Sequence, residues 1–183
     1  MSYCAYVKSL TEADNLHKIY HDQHYGFPIR EDDGALFGRL LLEINQAGLS
    51  WELMLRKEAH FRQAYAQFSV AKVAAFDAAD EARLLADAGI VRNRLKVAAA
   101  IYNAKVILQL QQSHGSFEQW ILAHHPLPKE QWVKLFKQHF KFMGGEIVGE
   151  FLMSIGILPG AHQPNCPVYA QVLAAKPAWA EHT

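Results

Sequence analysis

The segment Leu85-Ala86-Asp87-Ala88-Gly89-Ile90-Val91-Arg92-Asn93-Arg94 joins two predicted helices through a short turn. The alanine-rich stretch from Asp80 to Ala88 predicts a short helix that Gly89 ends, and a long helix is expected from about Arg92 to Leu110. The first turn of the second helix carries two arginines, whose charge opposes the helix dipole unless an anion lies nearby. Because free backbone N–H groups at a helix start attract anions, the turn is a candidate phosphate contact.

This arrangement looks like a helix-hairpin-helix module that holds a DNA backbone, over residues of about 81–110. The alternative is an ordinary helical hairpin, since many such hairpins end their first helix with a glycine. Net charge is zero, so any contact with DNA must be local. The candidate DNA contacts are Gly89, Ile90, Arg92 and Arg94, and other basic residues that are equally consistent with solvated helix faces are Lys96, Lys129, Lys134, Lys137, His139 and Lys141.

Helical periodicity continues through almost the whole chain, and no stretch alternates apolar and polar residues long enough to predict a strand. Thr11 and Asp14 resemble a capping pair that opens a first helix through about Tyr20. A second helix is expected from about Asp33 to Gln46, with a stripe of large apolar residues facing the core. Further helix starts are predicted at Ser50, Ser116 and Pro128, and a last long helix from Gly144 to Ile155.

The composition is that of one packed domain. At 183 residues, with 51% apolar and 11% aromatic residues, the chain can fill a core without a partner. No apolar run approaches the length of a membrane span, and the N-terminus lacks the basic start and apolar stretch of a signal peptide. We therefore expect a soluble, cytoplasmic, monomeric protein.

The segment Leu41–Trp51 places a carboxylate at the edge of a core-facing stripe. Glu43 lies on nearly the same helix face as Leu36 and Ala47. A carboxylate near the core costs several kcal/mol unless it is paired or hydrogen-bonded. Glu43 therefore either points outward past the stripe or belongs to a functional site, and the first interpretation is the commoner one for an isolated acid.

Aromatic residues surround the first predicted helix, at Tyr3, Tyr6, Tyr20 and Tyr25, and Trp51 follows downstream. Aromatic walls on both sides of a flat base provide stacking, and a cationic base gains cation–π attraction as well. For any one of these rings, core packing is the simpler explanation. Their occurrence together with the carboxylate described above makes a base-binding pocket the competing interpretation.

The two cysteines lie near opposite ends of the chain, and each is paired with a histidine: Cys4 with His21, and His162 with Cys166. Two thiolates and two imidazoles are a ligand set of closed tetrahedral zinc sites, which would fasten the N-terminus to the C-terminal region. A disulfide between the cysteines and two buried free thiols are alternatives that the spacing leaves open. The tail from Pro159, rich in proline and small residues, is predicted to be irregular and would need such an anchor.

Four segments together resemble the DNA-3-methyladenine glycosylase I family: Tyr20–Gly26, Glu43–Trp51, Asp87–Lys96 and Gly156–Cys166. The likeness runs in order through nearly the whole chain, and its most specific parts are Gln46–Trp51 and the cysteine and histidine set. The resemblance implies an all-α helix-hairpin-helix glycosylase domain over residues 1–183. In it the termini, residues 1–30 and 157–183, form a second lobe clamped by one structural zinc ion at Cys4, His21, His162 and Cys166.

The activity implied by the resemblance is hydrolysis of the N-glycosidic bond between alkylated adenine and deoxyribose in double-stranded DNA, with the lesion flipped out of the stack. In this mapping Glu43 is the catalytic carboxylate that binds the base, and the pocket is lined by Tyr20, Trp51, Tyr25 and Tyr6. An alkylated adenine is cationic before reaction, so its departure neutralises charge and needs little help from a general acid. No matching lysine suggests a lyase, so a simple hydrolase that leaves an abasic site is expected.

The chain departs from the family pattern at several positions. Tyr6 and Tyr25 stand where tryptophan is common, and Gly149 and Glu150 stand where a tyrosine and a small hydroxyl residue are usual. The loss of a ring at Gly149 predicts a larger pocket, and Glu150 predicts a more acidic one. For Gly149 and Glu150 three alternatives stay open: an altered substrate range, a second carboxylate that orients water, and drift in a surface turn without functional effect. For the whole chain, a lesion-binding paralogue without catalysis and a helical interaction domain with an architectural metal stay open as well.

Overall fold

The structure is a computed structural model that describes residues 2–181, and this part of the chain contains helices and no strand. The eleven α-helices of the described range are α1 (Tyr3–Lys8), α2 (Leu16–Gln23), α3 (Asp33–Gln46), α4 (Trp51–Ala64), α5 (Val70–Ala74), α6 (Ala78–Ala86), α7 (Arg94–His114), α8 (Phe117–His124), α9 (Lys129–His139), α10 (Gly145–Ser154) and α11 (Tyr169–Ala174). Two short 3₁₀ helices cover Ala66–Phe68 and Ala178–Ala180. The all-α fold class is therefore confirmed.

Most of the predicted helix starts agree with the structure. The side chain of Ser50 accepts a hydrogen bond from the backbone N–H of Leu53 at the start of α4, and Ser116 caps α8 in the same way. Pro128 immediately precedes α9. Each of these residues is one that helix starts favour, so local sequence was sufficient to find them.

Two predictions about the chain ends are wrong. The capping pair at Thr11 and Asp14 does not open a helix, because Asn15 caps α2 and a separate helix, α1, comes before it. Asn15 supplies a side-chain oxygen directly at the helix start, which satisfies a free N–H group there. The tail after Pro159 is also more regular than expected, since it contains α11.

The core forms around α3. Leu36, Phe37, Leu40 and Leu41 are each 1% exposed, and α3 packs against α4, α7, α8 and α10. Complete burial of a side chain of this size stabilises the fold by about 1.5–3 kcal/mol. Helix α3 is therefore a rigid support for any polar residue that it carries. Among residues 2–181, no helix has the length together with the apolarity that crossing a bilayer requires.

Candidate functional site

Helix α2 contributes one residue to each of two neighbouring sites. Tyr20 and His21 are consecutive and are both buried, at 6% and 3% exposure. The ring of Tyr20 lies 5.1 Å from that of Trp51, whereas the ring of His21 lies 4.5 Å from that of His162. Because successive helical residues point in directions about 100° apart, one short helix can serve both sites.

Glu43 is buried on α3, with 5% of its surface exposed. In the described part of the chain its carboxylate has neither a hydrogen-bond donor nor an ion-pair partner. Burial raises the pKa of Glu43 to about 8, with a further increase from the nearby charge of Glu150 and an opposing effect from Arg39. The interpretation that Glu43 points past the stripe into solvent is therefore wrong.

Aromatic rings pack together next to this acid. The ring of Tyr20 lies 5.5 Å from that of Tyr25 as well as against Trp51, and Arg39 donates a hydrogen bond of 3.3 Å to the Tyr20 hydroxyl. Burial raises the pKa of both tyrosines, and the charge of Glu43 contributes to both shifts. The Nε1 atom of Trp51 is buried without a hydrogen-bond acceptor. We call Glu43, Tyr20, Tyr25 and Trp51 the acid–aromatic site.

A cavity of about 330 Å³ opens between α2, α3 and α4 beside this site. Tyr20, Trp51 and Arg39 line it, together with Leu42 and Leu55. The volume is at the lower end of the range of ligand pockets, about 300–1,000 Å³. Two of the four predicted base-binding rings, those of Tyr20 and Trp51, therefore face an open space, whereas Glu43 and Tyr25 lie behind this lining.

Tyr6 lies at the edge of the acid–aromatic site and is 37% exposed. Its ring stacks on that of Tyr3 at a centroid distance of 6.3 Å. Tyr3 connects it to the interior, because its ring also meets that of Tyr25 edge-on at 5.4 Å. The Tyr3 hydroxyl lies 3.1 Å from Nδ1 of His17. Tyr3 is not among the predicted base-binding residues. Its position next to Cys4 in the sequence was a signal that it would lie near the predicted metal ligands.

Helix α10 brings a second carboxylate, that of Glu150, to the acid–aromatic site. The hydroxyl of Tyr25 donates a hydrogen bond of 3.1 Å to Oε2 of Glu150. Burial raises the pKa of Glu150 above its ordinary value, although the side chain remains partly exposed. The larger pocket expected at Gly149 is filled, because a Cβ atom there would lie 2.7 Å from Cε of Lys129.

The cysteine and histidine pairs meet in space. One ligand atom from each of Cys4, His21, His162 and Cys166 lies within 4.8 Å of the others, and the two cysteines are free thiols. Sγ of Cys166 is 3.7 Å from both His21 Nε2 and His162 Nδ1. These separations match the S···N edges, about 3.6 Å, of a tetrahedron with zinc-like bond lengths. This Cys/His cluster could therefore hold a metal ion.

The outward-facing nitrogen of each histidine already has a partner. His21 donates from Nδ1 to Oδ1 of Asp22 at 2.6 Å, and His162 donates from Nε2 to the backbone carbonyl of Tyr25 at 2.7 Å. Such bonds fix the tautomer and direct the other nitrogen toward a metal. Burial also lowers the pKa of His162, which favours the neutral imidazole that a metal requires.

The predicted DNA contacts in the turn between α6 and α7 differ in their exposure to solvent. Arg92 and Arg94 are exposed, whereas Ile90 is 3% exposed and belongs to the core. The backbone N–H of Gly89 donates to the side chain of Asp87 at 2.8 Å, so this N–H is already paired. Of the four predicted DNA contacts, the two arginines are therefore the ones whose side chains are available to an external phosphate.

Lys96 is not part of a solvated basic face. It is 5% exposed, and its amine donates hydrogen bonds to the backbone carbonyls of Asn45 at 2.8 Å and Ala47 at 2.7 Å. Burial lowers its pKa. The amine thus joins the start of α7 to the end of α3, a long-range contact that local periodicity does not reveal.

Comparisons with known proteins agree with this architecture. The profile of the methyladenine glycosylase family matches residues 10–135. DNA-3-methyladenine glycosylase 1 of Escherichia coli (strain K12) is 34% identical over 92% of this chain and 97% of that protein. The crystal structure of a variant of 3-methyladenine DNA glycosylase I in complex with 3-methyladenine has a TM-score of 0.80 and 31% identity over 92% of this chain and 97% of its own. The Staphylococcus aureus enzyme, solved to explain 3-methyladenine recognition, has a TM-score of 0.77 and 32% identity over 86% and 93% of the two chains.

Proposed function

This chain belongs to the methyladenine glycosylase family, and we propose that it is a monofunctional DNA repair enzyme that hydrolyses the N-glycosidic bond of 3-methyladenine in DNA. The observation that carries the proposal is the buried carboxylate of Glu43, which has no hydrogen bond or ion pair with any residue that the structure describes and whose charge acts on Tyr20 and Tyr25. An interaction domain has no physical reason to retain such a group, because an unpaired buried carboxylate destabilises the fold. A binding site for a positively charged ring does have one.

Recognition of the base follows from what the site lacks. At neutral pH Glu43 is largely protonated, because its pKa is about 8 in the empty site. An alkylated adenine brings a positive charge and N–H donors, both of which favour the ionised carboxylate. We propose that Tyr20, Tyr25 and Trp51 stack around this base, with Tyr6 at the rim. A neutral base gains none of the charge interaction and is bound more weakly.

The reaction itself needs little proton transfer. The bond between C1′ of the sugar and the purine nitrogen breaks, and its electron pair stays on the nitrogen. The purine, cationic before this step, therefore leaves as a neutral molecule. The oxygen of a water molecule bonds to C1′ and releases a proton to solvent, leaving an abasic site. Orientation of the flipped nucleotide and exclusion of bulk water are therefore the main contributions of the protein.

Contact with the duplex is proposed at the turn between α6 and α7, as part of a helix-hairpin-helix module over residues of about 81–110. Arg92 and Arg94 are exposed there and are positioned to neutralise phosphates. Gly89 permits the close approach of the turn to α4, since a Cβ atom would lie 2.8 Å from the ring of His60. We propose that Gly89 and Ile90 shape the turn, and that the enzyme acts on double-stranded DNA as a cytoplasmic monomer.

We propose further that Cys4, His21, His162 and Cys166 hold one structural zinc ion per chain. The ligand separations and the two partnered histidines support this assignment. Four protein ligands leave no position for water, so the ion would supply cohesion rather than chemistry. It would join the described parts of the two terminal segments, residues 2–30 and 157–181, into a second lobe of one glycosylase domain. Residues 1, 182 and 183, which the predicted segments also include, lie outside the described residues.

Release of the free base tests the proposal. Duplex DNA treated with a methylating agent is incubated with the protein, and free 3-methyladenine is measured by chromatography. We expect the wild type to release 3-methyladenine, and Glu43→Gln to release it at a rate reduced by at least about 100-fold. Glu130→Gln, at the exposed start of α9, should release it at the wild-type rate. Tight binding to methylated DNA without release by the wild type would instead show a lesion-binding protein.

A further inference from the structure

Glu150 has a place in the molecule that the proposed reaction does not require. It lies on α10, on the side of that helix from which it reaches Tyr25, 125 positions away in sequence. Tyr25 is its one hydrogen-bond donor within the described residues, through Oε2 at 3.1 Å. The other carboxylate oxygen is free to accept a hydrogen bond from a ligand.

The charge of Glu150 reaches every ionisable member of the acid–aromatic site. After burial, the charge of Glu150 is the largest contribution that raises the pKa of Glu43, and it also raises the pKa of Tyr20 and of Tyr25. Two acids carried by different helices, α3 and α10, are thus directed at one pair of rings. Because two negative charges in one buried site would repel each other, the charge of Glu150 favours the protonated form of Glu43 in the empty protein.

The cations near this pair do not neutralise it. Arg39 opposes the charge at Glu43 but donates its hydrogen bonds to the Tyr20 hydroxyl and the Ser154 carbonyl. Lys129 is 3.7 Å from Glu146, one turn before Glu150 on the outer face of α10. Neither cation makes an ion pair within 4.0 Å of Glu43 or Glu150 in the described part of the chain. The charge of Lys129 lowers the pKa of Glu150, but no ion pair among residues 2–181 engages either carboxylate, so both are available to a ligand.

The surroundings of Glu150 also limit what that ligand can be. The stem of Lys129 fills the space next to Gly149, so α10 has no room there for a larger group. On the other side, Glu150 meets a chain of rings: Tyr25, its hydrogen-bond donor, lies 5.5 Å from Tyr20, which lies 5.1 Å from Trp51. A flat cation fits such a site, since rings stack on its faces and carboxylates accept hydrogen bonds at its edge.

We propose that Glu150 is a specificity-determining residue of the base site, which acts with Glu43 as a pair of carboxylates that selects a positively charged purine over a neutral one. The proposal rests on the proposed function and adds to it a second acid, on a different helix. Glu43 lies deep between α3 and the rings, whereas Glu150 is partly exposed and approaches from the α10 side. The two acids therefore reach different parts of the ligand.

A pair of purine probes that differ in charge and by one methyl group tests this selectivity. The permanent cation 3,9-dimethyladeninium and neutral 9-methyladenine are titrated into the full-length protein, and binding is followed by tryptophan fluorescence and by nuclear magnetic resonance. We expect the wild type to bind the cation more tightly, and Glu150→Gln to reduce the ratio of the two affinities about tenfold, mainly through weaker cation binding. The matched control is Glu146→Gln, which removes the same charge from the exposed side of α10 and should leave the ratio within about twofold.

Release of 3-methyladenine from DNA is measured with the same variants. The kcat/KM value should fall for Glu150→Gln and stay unchanged for Glu146→Gln. If Glu150→Gln does not fold, Glu150→Ser, with a smaller hydroxyl side chain, provides the same charge comparison.

An unchanged affinity ratio in the folded Glu150 variants would overturn the inference, and so would an equal reduction in Glu146→Gln. An equal loss of affinity for both probes would assign Glu150 a purely structural role and would also overturn it. Failure of the proposed function is a different result, namely a wild type that releases no base from methylated DNA.

Discussion

The Cys/His cluster and the acid–aromatic site share helix α2, yet they treat buried polar groups in opposite ways. In the cluster, the outward nitrogen of His21 bonds Asp22, and that of His162 bonds the carbonyl of Tyr25. In the acid–aromatic site, Glu43 and the indole nitrogen of Trp51 are buried, and neither has a partner in the part of the chain that the structure describes.

This difference separates groups that hold the fold from groups that await a ligand. Buried polar atoms in folded proteins are nearly always hydrogen-bonded, so each exception needs a reason. The cluster needs only a metal ion to be complete, and its supporting bonds are already made. In the function that we propose, a charged ligand supplies the missing partner of the acid–aromatic site, and ionisation of Glu43 without that ligand destabilises the fold.

The largest expected effect concerns the cluster. Cys166→Ser removes a buried ligand, and we expect the free energy of unfolding to fall by roughly 4 kcal/mol, together with loss of bound metal. Chemical denaturation combined with metal analysis measures both quantities. Treatment of the wild type with a chelator should reproduce the loss. A variant that keeps its metal and unfolds like the wild type would contradict the assignment of Cys166 as a ligand.

Lys96 resembles the histidines of the Cys/His cluster in being buried with hydrogen-bond partners, although it lies near the turn that we propose as the DNA contact. Lys96→Met leaves the carbonyls of Asn45 and Ala47 without their donor, and we expect a loss of about 3 kcal/mol in the free energy of unfolding. Lys105→Met, at an exposed position on the same helix, is the matched control and should stay within about 0.5 kcal/mol of the wild type. Equal stability of the two variants would mean that the buried amine contributes nothing.

The opposite sign is expected in the acid–aromatic site. The pKa of Glu43 rises from its ordinary value of 4.5 to about 8, so between these values the folded protein holds a proton that the unfolded chain has released. The stability that this proton provides is complete below pH 4.5 and is lost as the pH rises toward about 8.

Glu43→Gln removes that loss. We expect the variant to be more stable than the wild type by on the order of 2 kcal/mol at a pH above 8, with the difference shrinking as the pH falls. Thermal and denaturant unfolding across this range measures it. A constant difference between the two proteins at all pH values would show that Glu43 does not titrate in this interval.

The smallest effect tests the support of the cluster. Asp22→Asn weakens the acceptor of His21 Nδ1, and we expect metal affinity to fall about tenfold, as measured by competition with a chromophoric chelator. Stability with saturating metal should change little. Asp14→Asn, an exposed acid in the α1–α2 linker, should leave affinity unchanged. Equal metal affinities of the two variants would show that the hydrogen bond from His21 to Asp22 does not contribute to metal binding.

Local patterns predicted part of the fold and of the candidate sites. The stripe of α3 and the caps at Ser50 and Ser116 follow from side chains that act within one helix. The members of the Cys/His cluster were also predicted from the sequence, because the chain contains only two cysteines and the family resemblance supported the choice of His21 and His162. The first helix was misplaced because three polar residues compete as its cap, and periodicity does not choose among them.

By itself, therefore, the sequence determined that the chain is helical, where most helices begin and which side chains are chemically able to bind a metal or a base. Only the tertiary structure decided that Glu43 is buried without a partner, that Lys96 is turned inward and that Glu150 reaches Tyr25 from a position 125 residues away. The physical reason is that periodicity reports the faces of one helix, whereas burial and charge coupling depend on what a distant helix places against them.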